Sequence, residues 1–351
     1  MMRNDGIIDE AEHESVSDVD IIYNINSFGA DFLVDGLVSR MDKGDIYRPD
    51  FQRQFVWTLP QASRFIESIL LGLPIPGIFL YREDDTQKNL IVDGLQRLTT
   101  LHAFKKGRLP NSNKFFRLVG VKERFENKSL EELDPSDQRR FNDTAIHATI
   151  IQQSFPQKDN SSVFHIFERL NTGGTPLQPQ EIRSAIYHGK FQRLLEELNK
   201  YENWRNIFGQ INKRSKDQEL ILRFLALLAD QGIYAAPMTT FLNNFMEKHR
   251  NLNAALSEDF SKAFKRSADI VVAALGSRPF RPIRSLNVAV YDSVMVALAT
   301  LPSVNADLIA RNYANLLRDE AYIAAVSKST SDQTNVDRRI KIARQYIHAN
   351  V

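Results

Sequence analysis

The sequence predicts an α+β protein, with a mixed α/β part up to about residue 188 and an all-helical part over 189–351. Three observations carry this. Short apolar runs bounded by turn residues, at 78–81, 90–92, 114–122 and 145–152, alternate with helical periodicity in the first part. Beyond Gly189 the apolar residues keep the helical period and no convincing strand recurs. The helical runs are punctuated by Gly209, Gly232, Pro237, Gly276 to Pro282 and Pro302, residues that stop helices.

The elements follow in order. Residues 1–20 hold seven acids against the single base Arg3 and read as an acidic, mobile tail. Domains are expected at 21–188 and 189–351. Phe32, Leu33, Leu37, Val38 and Met41 stand at helical spacing and predict a helix over 27–43, ended by Gly44. The stretch 46–57 is kept extended or looped by Pro49 and sets Gln52 and Arg53 among Phe51, Phe55 and Trp57. Residues 61–72 form an amphipathic helix, followed by the rigid turn Leu73-Pro74-Ile75-Pro76-Gly77. A hairpin follows, with strands at 78–81 and 90–92, and then a helix from Leu95 to about Lys106. A short helix starts at Asp134-Pro135-Ser136, between the strand runs 114–122 and 145–152. Another helix spans 160–169 and runs into the glycine turn Asn171-Thr172-Gly173-Gly174, after which Gln180 to Arg183 opens the next. Helices are then expected at 191–200, 216–231, 237–250, 255–275, 287–301, 305–318 and 333–348.

Composition removes several functions. The chain has 351 residues and no Cys, which excludes disulfides, thiolate metal sites and cysteine catalysis. The seven His are scattered, against zinc. There is no basic-then-apolar leader and no apolar run near 18 residues, so a cytoplasmic protein without membrane contact is expected. P-loop, Rossmann, H-E-x-x-H and G-x-S-x-G patterns are all missing. Net charge is +2, but with the acidic tail set aside the rest is clearly basic.

What remains are polar patches with a phosphate-binding character. The foremost is Val92-Asp93-Gly94-Leu95-Gln96-Arg97, where a buried strand turns directly into a helix. The first turn of a helix has N–H groups without intrahelical partners and attracts anions. Asp93 can cap that turn, Gly94 lets a ligand reach the backbone, and Arg97 offers a planar fork to phosphate. The alternative reading is a capped helix with a surface arginine. Gln52-Arg53 and the Asn171–Gly174 turn, a possible anion nest, are the other two patches.

Set in order, these blocks resemble the N-terminal domain of GmrSD-type restriction endonucleases, a family within the ParB/sulfiredoxin-like superfamily. The matching pieces are Phe51-Gln52-Arg53 with Val56-Trp57, Ser68 to Pro76, Val92 to Leu101, and Phe167 to Leu177 with Gln180-Glu181-Ile182-Arg183. The resemblance covers roughly residues 25–190. The family's usual Asp-Gly-Gln-Gln-Arg has Leu95 here in place of its first glutamine. The resemblance implies a ParB/sulfiredoxin-like fold for the first domain and binding, with hydrolysis, of a nucleoside triphosphate in DNA restriction or phage defence. It makes Gln52, Arg53, Gly94, Arg97, Asn171, Thr172, Gly173 and Gly174 the nucleotide-binding set. Asp93, Gln96, Arg97 and Glu181 become the catalytic set: Asp93 holds Mg²⁺, Gln96 orients water and Glu181 activates it. Nuclease members carry an Asp-x-Asp-His or His-Asn-His pattern near the C-terminus, and this sequence has none. Cutting of DNA is then expected from a nuclease or other defence-system partner. Rival readings are a non-catalytic nucleotide switch, in which nucleotide drives a homodimer or clamps DNA, and a nuclease acting through the α/β domain.

In the helical part, Arg278, Arg281 and Arg284 join Lys262, Lys265 and Arg266 in a basic stretch suited to DNA phosphates. A solvated loop is the plainer alternative. Arg338, Arg339, Lys341 and Arg344 read as a second basic, solvated face.

Overall fold

The computed structural model describes residues 7–8, 24–48, 55–83, 86–110, 112, 114–155, 164, 166, 178–276, 279–282 and 285–349. They fall into two compact units, one over 22–177 and one over 178–351 with 1–21. The α+β expectation is met: a mixed sheet with helices occupies the first unit and helices dominate the second.

The first unit is built on five strands. They are β2 (Asn24–Leu33), β3 (Ile46–Tyr47), β4 (Ile78–Arg82), β5 (Asn89–Asp93) and β6 (Ala145–Phe155), while β1 (Ile7–Ile8) belongs to the second unit. Their order is β2-β6-β4-β5-β3. The β2/β6 and β4/β5 pairs are antiparallel, and β6/β4 and β5/β3 are parallel. Helices α1 (Val34–Asp42), α2 (Leu59–Leu70), α3 (Leu95–Lys105) and α4 (Pro135–Asp143) complete the unit. Helix α2 starts where Thr58 and Gln61 form a capping box, with Pro60 in the first turn. Its apolar stripe, Ala62, Ile66, Ile69 and Leu70, is buried in one core with Leu98, Leu101 and Phe104 of α3 and with Ile78, Leu80, Ile91, Ile146 and Ala148 of the sheet. Phe104 adds edge-on contacts to Phe116 and Phe141 at ring distances of 5.2 and 5.4 Å.

Two expectations for this unit are corrected. Residues 27–33 are not helical but belong to β2, paired with β6 along its length; the helix begins only at Val34. Residues 114–122 form no strand and make one isolated bridge, Phe115 with Arg108. Their Phe116 and Leu118 are buried as a strand's alternate residues would be, but the backbone is tied locally, Leu118 N donating to Lys128 O and Val119 N to Ser63 Oγ.

The second unit comprises α5 (Pro179–Ile186), α6 (Lys190–Asn199), α7 (Glu202–Phe208), α8 (Lys216–Asp230), α9 (Met238–His249), α10 (Ala254–Leu275), α11 (Val288–Ala299), α12 (Ala306–Leu316), α13 (Glu320–Ser327) and α14 (Gln333–Ile347). Helices α7 and α13 were not expected from sequence. Helix α11 is the centre, buried from Val288 to Leu298, and it packs against α8, α10 and α14. Beside it, Trp204 is fully buried against Phe264 and Tyr291 at 5.6 and 5.7 Å. Buried ion pairs lie inside. Asp292 accepts from Arg223 (Nε 3.2 Å, Nη2 2.7 Å) and from Arg339 Nη2 at 3.1 Å. Arg183 donates to Glu219 Oε2 at 2.8 Å and to Asn243 Oδ1 at 2.8 Å. Arg339 is therefore not part of a solvated face, since Asp292 draws it inside. Ile7–Ile8, the described part of the acidic segment, forms β1 and pairs in parallel with β7 (Leu286–Asn287), a two-residue strand within the region expected to be helical throughout. Among the described residues no single helix is long and apolar enough to cross a membrane.

His249 sits at the end of α9 among Phe245, Phe191 and Phe260, with ring centroids 4.4, 6.2 and 5.7 Å away. Its Nε2 is buried without a hydrogen-bond partner. Burial, aided by Lys248 and opposed by Asp230, holds the imidazole below its ordinary value. The unfolded chain then binds a proton more readily than the folded one. Stability is complete above about pH 6.5 and falls as pH drops from there toward the depressed folded value. Urea unfolding followed through Trp204 at about pH 7.5 and about pH 5.5 should show this loss, and His249→Phe should reduce it.

Candidate functional site

Strand β5 is buried on both faces through Leu90, Ile91 and Val92 and ends at Asp93. Gly94 then makes the corner, with φ 96°, and α3 begins at Leu95. Only glycine fits here. The left-handed backbone disfavours other residues, and a Cβ would lie 2.5 Å from Ile78 Cγ2 and 3.0 Å from Ile78 Cβ. Gly94→Ala should destabilise the first unit by about 2–4 kcal/mol, the sum of backbone strain and overpacking. Denaturant unfolding followed through Trp57, which lies in this unit, measures it.

Arg97 folds back across the corner. Its Nη2 donates to Asp93 Oδ2 at 2.6 Å and to the carbonyl of Gly77 at 2.9 Å. Its side chain is 19% exposed and that of Asp93 is 40% exposed. The Arg97 Nε is buried and has no hydrogen-bond partner. The turn Pro74–Gly77 is thereby tied to the corner through one carbonyl, a role that sequence reasoning missed. The signal was the glycine closing a proline turn just before a strand. Gly77 also packs against β6, where a Cβ would sit 2.8 Å from His147 O.

Gln96, in the same first turn, is turned toward another segment. Its Oε1 accepts from Val56 N at 3.0 Å and from Trp57 N at 3.3 Å. Leu95, where the resembling family has glutamine, is partly buried against the core and packs as an apolar residue should.

The sequence-predicted site residues divide into three groups. Asp93, Gly94, Gln96 and Arg97 are brought together at one strand–helix corner. Gln52, Arg53, Asn171, Thr172, Gly173 and Gly174 lie outside the described residues. Glu181 belongs to the second unit, in α5, where it is 2% exposed. Its Oε2 accepts from the backbone N of Gln178 at 2.7 Å and from Arg214 Nε at 2.9 Å. That carboxylate closes a capping box and an ion pair, a complete structural task.

The expected DNA-contacting arginines divide likewise. Arg278 and Arg284 lie outside the described residues. Arg281 donates to the carbonyls of Ile207 and Phe208, both at 3.4 Å, and so caps the C-terminal end of α7. Nearby, Arg266 donates to Ala299 O and Leu301 O, Lys262 pairs with Glu258 at 2.6 Å, and Lys265 lies 5.6 Å from the Tyr201 ring centre.

Among the described residues no three His, Asp or Glu side chains gather as a metal-binding group. A hard ion such as Mg²⁺ keeps most of its waters and takes one or two carboxylates, which a partly exposed Asp93 can provide. The corner can thus offer one acid, one guanidinium with an unpaired N–H, and the free N–H groups of a helix start. No curated protein matches the chain. Residues 34–188 match the family of the GmrSD restriction endonuclease, N-terminal domain, and this segment of the chain belongs to that family.

Proposed function

We propose that this protein acts in DNA restriction or phage defence, and that its first unit binds a nucleoside triphosphate with Mg²⁺ at the Asp93–Arg97 corner. The observation that supports this most is the Arg97 guanidinium. It is held in place by Asp93 and the Gly77 carbonyl, yet keeps a buried N–H without a partner. An unmade hydrogen bond of that kind costs free energy, which a shift of the guanidinium toward a phosphate oxygen would recover. The side-chain charges of Asp93 and Arg97 cancel, and a metal–triphosphate carries both opposing signs. Arg97 would hold phosphate oxygens, the first turn of α3 would donate its N–H groups, and Asp93 would face the metal. Bound Mg²⁺ supplies neutralisation of the phosphate charge. Gly94 makes the left-handed corner that sets Asp93 and Arg97 side by side. The resemblance adds Gln52, Arg53 and the Asn171–Gly174 turn to this set.

Hydrolysis is the more demanding half of the reading. Phosphoryl transfer to water needs a group that orients or activates that water. A second reading, nucleotide binding without turnover, is favoured by one specific observation: Gln96 Oε1 already accepts from Val56 and Trp57, and Glu181 Oε2 from Gln178 and Arg214. A nucleotide-driven homodimer or DNA clamp fits that reading. DNA is the expected partner in both.

Phosphate-release assays with Mg²⁺, with and without duplex DNA, decide between them. The hydrolytic reading predicts Mg²⁺-dependent release that Asp93→Asn abolishes. Tight binding with no release supports the switch. Release that persists in Asp93→Asn contradicts the assignment of the corner.

A further inference from the structure

We propose that Gln96 is a positioning residue that fixes Val56 as the apolar wall of the ligand site, on the side that takes the nucleobase. This rests on the nucleotide reading above and assigns a second half to the site.

The stretch Phe55–Trp57 runs past the first turn of α3. Phe55 and Trp57 both pack against the core of the first unit, and Trp57 meets Phe65 edge-on at 5.6 Å. Val56 lies between them. In an extended segment, alternate side chains point to opposite sides. Val56 accordingly faces outward and is 59% exposed, among the most exposed large apolar side chains of the unit. What sets this stretch against α3 is Gln96. Its single side-chain oxygen accepts both the Val56 and Trp57 N–H groups, at 3.0 and 3.3 Å. With both lone pairs so used, that oxygen has no capacity left for water. Gln96 and Arg97 are sequence neighbours, so the wall and the phosphate-directed guanidinium are tied to one helical turn, about 5.4 Å in pitch. Nucleotide sites need this combination: a few charged groups for phosphates and an apolar surface for the base. An exposed valine beside a polar corner supplies the second part. The two N–H bonds keep it from swinging away when the site is empty.

The test uses the full chain and two probes. Each of ATP, GTP, CTP and UTP is titrated with Mg²⁺, in parallel with inorganic tripolyphosphate, which lacks base and sugar. Arg97→Ala should weaken both classes of probe. Val56→Ser should weaken the preferred nucleotide about tenfold and leave tripolyphosphate within about twofold, since only apolar contact is removed. Gln96→Ala should copy the Val56→Ser pattern. It should also speed amide hydrogen exchange at Val56 and Trp57 about tenfold or more in the unliganded protein, while the core of α3 stays protected. Gln96→Glu, which still accepts both N–H groups, should restore that protection. Unchanged exchange at Val56 and Trp57 in Gln96→Ala overturns the positioning role. Equal weakening of nucleotide and tripolyphosphate by Gln96→Ala or Val56→Ser overturns the base wall and makes Gln96 a phosphate contact. Binding of tripolyphosphate with no added affinity for any nucleotide also overturns the wall, while leaving the phosphate corner intact. If wild type binds neither probe, the nucleotide reading falls and the wall with it; the exchange measurement still decides whether Gln96 holds the stretch.

Discussion

Asp292→Ala is expected to destabilise the second unit by about 3–5 kcal/mol, the cost of leaving a buried charge without its counter-ion. Asp292 is fully buried, and its one carboxylate is shared by Arg223 and Arg339, 2% and 0% exposed. Removing it leaves two buried guanidinium groups facing each other, with Arg339 still bonded to Thr330 O. The effect is not the value of an attractive pair; exchanging the whole group for apolar residues of similar volume can be neutral. It is the desolvation of the survivors. Asp292→Asn keeps the shape and one acceptor oxygen and should lose less. The measurement is urea unfolding through Trp204 in a Trp57→Phe background, since the two tryptophans of the chain lie one in each unit. Using one probe per unit also avoids treating two units as one transition. A loss under about 1 kcal/mol would contradict this account of the core.

Arg97→Ala is expected to have the largest functional effect, weakening nucleotide binding by about 100-fold or more, as loss of a preorganised charged donor at a phosphate does. Its effect on stability should be small, about 1 kcal/mol, because the Asp93–Arg97 pair is partly exposed and screened. That contrast separates a binding residue from a structural one. Arg97→Lys should not rescue binding. A lysine ammonium lacks the planar fork that lets Arg97 hold Asp93 and Gly77 while turning another N–H elsewhere. Titration calorimetry with the three proteins, beside unfolding curves, reads both effects.

These predictions also mark what the sequence makes visible. The β4–β5 hairpin and the turn into α3 were legible because strand alternation, Gly94 and helical periodicity act over a dozen adjacent residues. The corner Asp93–Gly94–Gln96–Arg97 was legible for the same reason. What failed depends on distant partners. Residues 27–33 carry apolar spacing that continues smoothly into α1, and only pairing with β6, more than a hundred residues later, makes them a strand. The run 114–122 alternates like a strand but has no ladder neighbour. Glu181 looks like a free acid near a glycine turn until Arg214, thirty-three residues on, closes on it. Gln96 shows no local sign of its bonds to the N–H groups of Val56 and Trp57, about forty residues earlier. Arg339 looks solvated beside Arg338 because helical phase alone does not show that Asp292 waits on the inner side. In each case the local pattern is satisfied, and the decisive contact is one that no short window contains.

The central claim is that the Asp93–Arg97 corner holds a nucleoside triphosphate. Calorimetric titration of the wild-type protein with ATP, GTP, CTP and UTP in the presence of Mg²⁺ tests it most directly. The account predicts saturable binding of at least one of the four, lost in Arg97→Ala while the folded fraction is unchanged. No binding of any of them, or equal binding by Arg97→Ala, would contradict it.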